Sequence, residues 1–370
     1  MGADDLSIAG LVYLVTNREI QVAVVRRHSC EWVRLADVSQ VLGPIARLRD
    51  ELARDSAVAV RRLPELTRFA AGWGRELIPS AILADPPDVL VIVPHALLHG
   101  LPLHLVQAAN GQALACCSGI SYASSPTLLL RGAARNPARR AEQPAQRVAA
   151  GGGTDVLGGA EDVFRSIAAD VLAEFGAAAD DPFFRIPVRW AFRNPDNRVA
   201  CVISHGFVDP TVHGDSGILI DPPIAVATFH QRVGDETFAR MDIPMRDVPA
   251  GLATARPAEV LTLGEIEMDD PTSVELTILL ACSAGASDVL QGDEPASLAE
   301  ALVRLGSTSV IAPMWACDHV LARAWIRAFL AAWHRRGTPK ALAARAAFLA
   351  LGDGSDVTEL GPIHLRGDWL

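Results

Sequence analysis

Along the first fifty residues the apolar positions change period. Ala9 to Thr16 and Ile20 to Arg26 are rich in β-forming residues, with Asn17-Arg18 between them as turn residues, so this stretch predicts a β-hairpin. Trp32 to Leu35 predicts a third short strand. From Val38 to Arg54 the spacing becomes helical, with Val41, Leu42, Ile45, Leu48 and Leu52 on one face. A second helix is predicted over Leu66 to Ile78, ended by Pro79. Val89 to Val93 is a continuous apolar run stopped by Pro94, the pattern of a strand buried on both faces.

The later chain repeats that pattern. Val199 to Ile203, Leu276 to Leu280 and Thr308 to Ala312 each read as a buried strand. Helices are predicted over Ala160 to Phe175, with Val163, Ile167, Val171 and Leu172 on one face, and over Ser297 to Leu305, stopped by Gly306. Two more follow, His319 to Arg335 and Pro339 to Leu351. Alternating strands and helices predict an α/β fold around a largely parallel sheet. No internal repeat is visible. Residues 131–147 hold five arginines and two prolines with few large apolar residues, and 151–159 is loop-like. The expected division is therefore an N-terminal α/β subdomain over 1–130, a linker over 131–147 and a core over 148–370.

Composition narrows the function classes. Among 370 residues, 33 Lys+Arg face 43 Asp+Glu, a net charge of −10. A chain this acidic is poorly suited to a nucleic acid partner, which needs a basic surface. Lys340 is the only lysine and stands in Gly-Thr-Pro-Lys-Ala, so there is no Walker A loop. Cysteines 30, 116, 117, 201, 282 and 317 form no C-x-x-C pair, which argues against zinc ribbons and thioredoxin-type sites. The first residues are acidic where a signal peptide is basic, and no apolar run has the length of a membrane span. The expectation is a cytoplasmic protein with free thiols, no membrane association, no metal and no cofactor.

Reactive groups gather at the carboxyl ends of parallel strands. His205 follows one predicted strand and Cys282 another. Gly206 comes after the histidine and Ser283-Ala284-Gly285 after the cysteine. Small residues admit a substrate backbone and leave N–H groups free for an oxyanion. A thiol and an imidazole meeting there are the minimum for nucleophilic acyl transfer.

Val202-Ile203-Ser204-His205-Gly206 followed by Leu279-Leu280-Ala281-Cys282-Ser283-Ala284-Gly285 resembles the CHAT family, prokaryotic caspase-like cysteine peptidases related to separase. Further stretches match in order. Pro94, Leu98, Leu101 and Pro102 resemble the family's P-x-x-x-L-x-x-L-P motif, and Ile120 to Pro126 its serine–tyrosine stretch. Thr262 to Ile266, Gly292-Asp293-Glu294 and Ser309 to Trp315 complete the series. The resemblance implies a caspase-like fold, with helices on both faces of the sheet. It implies a His205–Cys282 dyad and an oxyanion hole from the N–H groups of Gly206 and Cys282. It further implies limited, site-specific cleavage of protein substrates in prokaryotic defence or regulated cell death, on a neighbour such as a gasdermin-like pore former.

Several features depart from the family pattern. His205 and Cys282 are 77 residues apart, with an insertion-like stretch over 221–258. Where the family often has an acid four positions after the strand tryptophan, this chain has His319, with Asp318 before it. Asp318, Trp315, Asp293 and Glu294 are the candidates for substrate binding, and helix capping is the plainer role for the acids. No sensor repeats accompany the motifs, so an activator would be a separate protein or the N-terminal third. A catalytically silent CHAT scaffold that binds partner proteins is the alternative, and an acyltransferase with the same dyad a third.

Other motifs read more plainly. His95, His99 and His104 lack the glutamate of a zinc helix, and Gly100 and Pro102 break any helix there. Gly214-Asp215-Ser216-Gly217 reads as a turn, and Cys116-Cys117 as core packing. The arginines of 131–147 read as a solvated linker, with self-processing there as a hypothesis.

Overall fold

The computed structural model describes residues 5–53, 63–130, 147–152, 161–175, 197–204, 206–207, 217–219, 226–233, 237–244, 260–267, 274–281, 284–285, 288–289, 295–354 and 356–370. Ten strands form one sheet: β1 Ile8–Val15, β2 Glu19–Arg26, β3 Ser29–Asp37, β4 Val89–Val93, β5 Gly119–Tyr122, β6 Arg147–Gly152, β7 Asn197–Ser204, β8 Leu276–Ala281, β9 Ser309–Pro313 and β10 Ile363–Gly367. Their order is β3-β2-β1-β4-β5-β10-β9-β8-β7-β6. The longer helices are α1 Val38–Ala53, α2 Pro64–Ala71, α3 Glu161–Glu174, α4 Leu298–Leu305, α5 His319–Leu330 and α6 Lys340–Leu351.

Six of the nine neighbouring strand pairs are parallel. The sheet is two parallel blocks joined back to back. β1, β4, β5 and β10 run one way, and β6 to β9 run the other. The join is the last strand: β10 pairs antiparallel with β9 and parallel with β5. The carboxyl ends of the two blocks therefore lie at opposite edges of the sheet. That separation fixes which side chains can share a site.

Strand alternation shows why both faces are covered. On β7, Val199, Cys201 and Ile203 enter the larger apolar core while Ala200 and Val202 enter a second one. On β8, Leu276, Ile278 and Leu280 divide in the same way from Leu279 and Ala281. The second core is closed by α4, through Leu298, Ala299, Ala301 and Leu302. The larger core runs from Ala9 on β1 to Leu365 on β10 and takes in α1, α2, α3, α5 and α6. One sheet and one main core thus span both halves of the chain. Among the described residues no helix is long and apolar enough to cross a membrane.

Most expected elements are present, with local differences. The third strand is longer than Trp32 to Leu35 because the ladder with β2 runs from Ser29 to Asp37. The helix expected to Ile78 breaks at Gly72, and Trp73–Leu77 is a separate 3₁₀ turn. A Cβ at Gly72 would lie 2.6 Å from the Arg68 carbonyl oxygen, so that turn requires glycine. The helix from His319 ends at Leu330 and widens into a π turn, Ala331–Arg335. The expected loop around 151 begins instead as strand β6, paired parallel with β7. Its Ala-Gly sequence has no β-branched residue after Val148, and neighbouring β7 supplies the order. The insertion-like stretch contains an antiparallel ladder, Val226–Val233 with Thr237–Pro244. Residues 131–146 lie outside the described residues.

Buried polar groups stand where β5 and β10 meet. The Tyr122 hydroxyl accepts the His104 backbone N–H at 2.9 Å and lies 3.0 Å from His104 Nδ1. Tyr122 stacks edge-on against His364. Burial pushes the His104 imidazole down to about 3. It also holds His364 well below the usual range, helped by nearby Arg366 and His104 and opposed by the Ala312 carbonyl. Both rings are therefore neutral in the fold, but protonate near pH 6.5 once the chain unfolds. Below that pH the unfolded state binds more protons, so stability falls as pH falls, by about 1.4 kcal/mol per pH unit for each histidine. For His104 this continues to about pH 3. Urea unfolding between pH 6.5 and 5 should show the loss, and His104→Gln should remove about one proton's worth of slope. An unchanged slope in the variant would contradict this account of the buried pair.

Candidate active site

Ser204 ends β7 and Ala281 ends β8, and the two are register partners across a parallel pair. Both are buried. The next residue on each chain is His205 in one case and Cys282 in the other. These two, with Asp293 and Glu294, lie outside the described residues. The residues around them define the setting.

After β7 the chain leaves the sheet at once. Gly206–Phe207 pairs antiparallel with Gly217–Leu219, which pairs in turn with Val260–Thr262. Gly206, the expected oxyanion donor, is half-buried at the start of this small sheet. Of the Gly-Asp-Ser-Gly stretch, 214–216 lie outside the described residues, and Gly217 opens the middle strand.

After β8 the chain folds back over the neighbouring strand end. The Ala284 N–H donates to the Ala281 carbonyl at 3.0 Å. The Gly285 N–H donates to the Pro313 carbonyl at the end of β9, at 2.8 Å. The Ala284 carbonyl accepts the Ala299 N–H from the first turn of α4, at 3.1 Å. Ser297 caps that helix, its hydroxyl accepting the Glu300 N–H. Three contacts thus hold the loop against β8, β9 and α4. Gly285 is needed for the close approach: a Cβ there would lie 2.4 Å from His364 Cε1 and 3.1 Å from the Pro313 oxygen. Gly285→Val should therefore shift the loop and cost about 1–3 kcal/mol by overpacking. The checks are the urea midpoint and the alkylation rate of Cys282, both expected to fall. Wild-type values for both would show that the loop is not held in this way.

The third strand end adds the remaining candidates. β9 lies beside β8, and Trp315 and Asp318 follow its last residue, Pro313. Trp315 is buried in the main core, at 3% exposure, and offers almost no surface to a ligand. Asp318 is exposed and caps α5, its Oδ1 accepting the N–H groups of Val320 at 2.8 Å and Leu321 at 3.1 Å. The cap leaves Asp318 Oδ2 unused. The structure thus brings the flanks of His205 and Cys282 together at adjacent strand ends, with Asp318 one strand further along. His364 was not legible as a neighbour of the site. It belongs to β10, a strand with polar residues at alternate positions, and its ring lies where a Gly285 side chain would go.

The other thiols differ in their setting. Burial pushes Cys201 up to about 12. Burial also pushes Cys116 up to about 12, helped by the adjacent Cys117. Cys30 is exposed, and Cys117 and Cys317 are half-buried. Of the three histidines first considered together, the His95 Nδ1 accepts the Val15 N–H at 3.2 Å, while His99 and His104 are buried.

The family model of the CHAT domain matches residues 75–360, from the 3₁₀ turn before β4 to just short of β10. The chain belongs to the CHAT family. Solved structures resemble it to different degrees. One is a chain in the 3.0 Å crystal structure of the Saccharomyces cerevisiae separase–securin complex, with TM-score 0.59 and 8% identity over 99% of this chain. The CHAT chain spans only 30% of that relative. A structure described as that of a protease covers 76% of this chain and 64% of its own, at 12% identity and TM-score 0.45. A search of curated proteins finds no match. This CHAT protein therefore shares its fold with the separase chain: a largely parallel sheet, here with three strand ends meeting beside the family's motif positions.

Proposed function

We propose that this CHAT protein is a cysteine endopeptidase with a His205–Cys282 dyad. The observation that carries the reading is the register Ser204↔Ala281, which sets the chain positions before the two residues side by side at one sheet edge. In the proposed reaction the Cys282 thiolate attacks the scissile carbonyl and forms a carbon–sulfur bond. The Gly206 and Cys282 N–H groups take the oxyanion charge. The carbon–nitrogen bond breaks as His205 passes its proton to the leaving amine. Water then attacks the thioester carbon, His205 accepts the water's proton, and the acid product leaves with the thiolate restored.

Two observations support cleavage of chosen sites over general degradation. The loop after β8 is pinned on three sides, and Trp315, which follows the neighbouring strand β9, is buried. Asp318 is the reading's candidate for a basic side chain of the substrate, through the carboxylate oxygen that the helix cap leaves unused. Asp293 and Glu294 are the other acids offered for that role. A role in defence or regulated cell death rests on the family resemblance alone.

The test is chemical. Iodoacetamide at neutral pH should modify Cys282 at least tenfold faster than Cys30 or Cys317, and His205→Ala should remove the advantage. Equal rates in the wild-type chain would favour a scaffold that uses the same strand ends to bind partner proteins.

A further inference from the structure

β3 is the outermost strand at one end of the sheet, and among the described residues nothing pairs with its outer edge. One side of β1 and β2, with Leu11, Tyr13, Ile20, Val22 and Val24, is buried in the main core. On the other side apolar side chains stay open: Trp32 is 58% exposed, Val25 40% and Leu14 38%. Trp32 stands in register with Ala23, and Ala23 with Val12, so the exposed tryptophan ends an apolar row.

The ladder decides which backbone groups of β3 point outward. The Thr16 N–H donates to the Glu19 carbonyl across the turn Asn17-Arg18, so Glu19, Gln21, Ala23 and Val25 bond β1. Bonding sides alternate along a strand, so Val22, Val24 and Arg26 bond β3, through Val33, Glu31 and Ser29. The N–H and C=O groups of Cys30, Trp32 and Arg34 therefore face away from β2. An edge of this kind is a template for a further strand.

The edge is complementary to itself. Two copies of β3 laid antiparallel with Trp32 opposite Trp32 bring Cys30 opposite Arg34 on each side of a two-fold axis. All three outward residues then meet outward residues, and each pair exchanges two hydrogen bonds. A shift by one residue sets outward groups against inward ones, and a shift by two leaves one of the three unmatched. The charges agree with this arrangement. Exposed Arg26 and Arg27 precede β3, while Asp37 ends it, where Asp37 and Glu19 share Arg34. Antiparallel pairing lays the basic turn of each copy toward the acidic end of the other.

We propose that β3 is a dimer interface, pairing antiparallel about Trp32 with β3 of a second copy to form one twenty-strand sheet. β7 and β8 lie toward the far end of each sheet, so both candidate sites stay open in the dimer. The proposal does not depend on the peptidase reading. One strand edge and one pair of tryptophans make a small interface, so the dimer should be weak and reversible.

The test is sedimentation equilibrium of the full chain, with reductant present because Cys30 is exposed, from about 1 to 300 μM, the range suited to a small interface. A reversible monomer–dimer equilibrium is expected. Cys30→Pro removes one outward N–H and leaves the β2 ladder intact, and Trp32→Glu sets two carboxylates opposite each other. Each should weaken dimerisation at least about tenfold while the chain remains folded by circular dichroism. Leu349→Glu alters an exposed apolar side chain on α6 and should leave the dimer unchanged. A chain that stays monomeric across the range, as it would if the edge served a strand of another protein, would overturn the proposal. A dimer unchanged by Trp32→Glu, a dimer lost in Leu349→Glu, or an assembly larger than two would overturn it as well.

Discussion

Replacing Cys282 by alanine should reduce peptide-bond hydrolysis by at least about 10⁴-fold, because in the proposed reaction its thiolate is the attacking group. Three of the five described thiols are poor substitutes. Cys201 and Cys116 are held protonated by burial, and Cys30 lies on β3 at the far edge of the sheet. His205→Ala should cost a similar factor, since the thiolate and the proton carrier act as one unit. The double variant should be little worse than either single one. Folding should be untouched in all three, with urea midpoints near wild type. Additive losses in the double variant would mean that the two residues act separately. The measurement is kcat/KM on a peptide spanning a mapped cleavage site.

The second large effect is structural. Glu300→Ala should destabilise the protein by about 3–5 kcal/mol, because it strands a buried guanidinium. Arg366 donates to no acceptor but Glu300 among the described contacts, and both side chains lie inside the fold. Ser124 would also lose its acceptor. The charge-free pair Glu300→Met/Arg366→Leu should instead stay within about 2 kcal/mol of wild type, since a matched apolar pair avoids the desolvation cost. Urea midpoints separate the two cases. Equal losses in the single and double variants would show that shape, not charge, is what the site requires.

What the sequence reveals depends on how each element is made. β4, β7, β8 and β9 are legible because a strand buried on both faces is apolar at every position, as in Val89 to Val93. α4 is legible because Ser297 and Gly306 mark its two ends, and Gly306 takes a left-handed φ of 115°. β10 is not legible. Its His364 and Arg366 break the apolar run, and both are buried only because Tyr122 and Glu300 meet them from distant parts of the chain. β6 escapes for the opposite reason, having almost no side chains to show a pattern. The division into subdomains was drawn from composition at 131–147, which cannot show that the last strand returns to join β5. At the site, the two strand ends Ser204 and Ala281, which precede His205 and Cys282 in the chain, follow from the apolar runs. The capping by Asp318 is legible from its place before the helix, whereas the burial of Trp315 depends on packing that no local pattern records.

The account's central claim is tested most directly by mapping new protein N-termini in cells that express the wild-type chain or Cys282→Ala. The account predicts a small set of cuts that share one residue before the cleaved bond and vanish in the variant. The same cuts in both, or no cuts from a wild-type chain whose Cys282 is selectively alkylated, would contradict it.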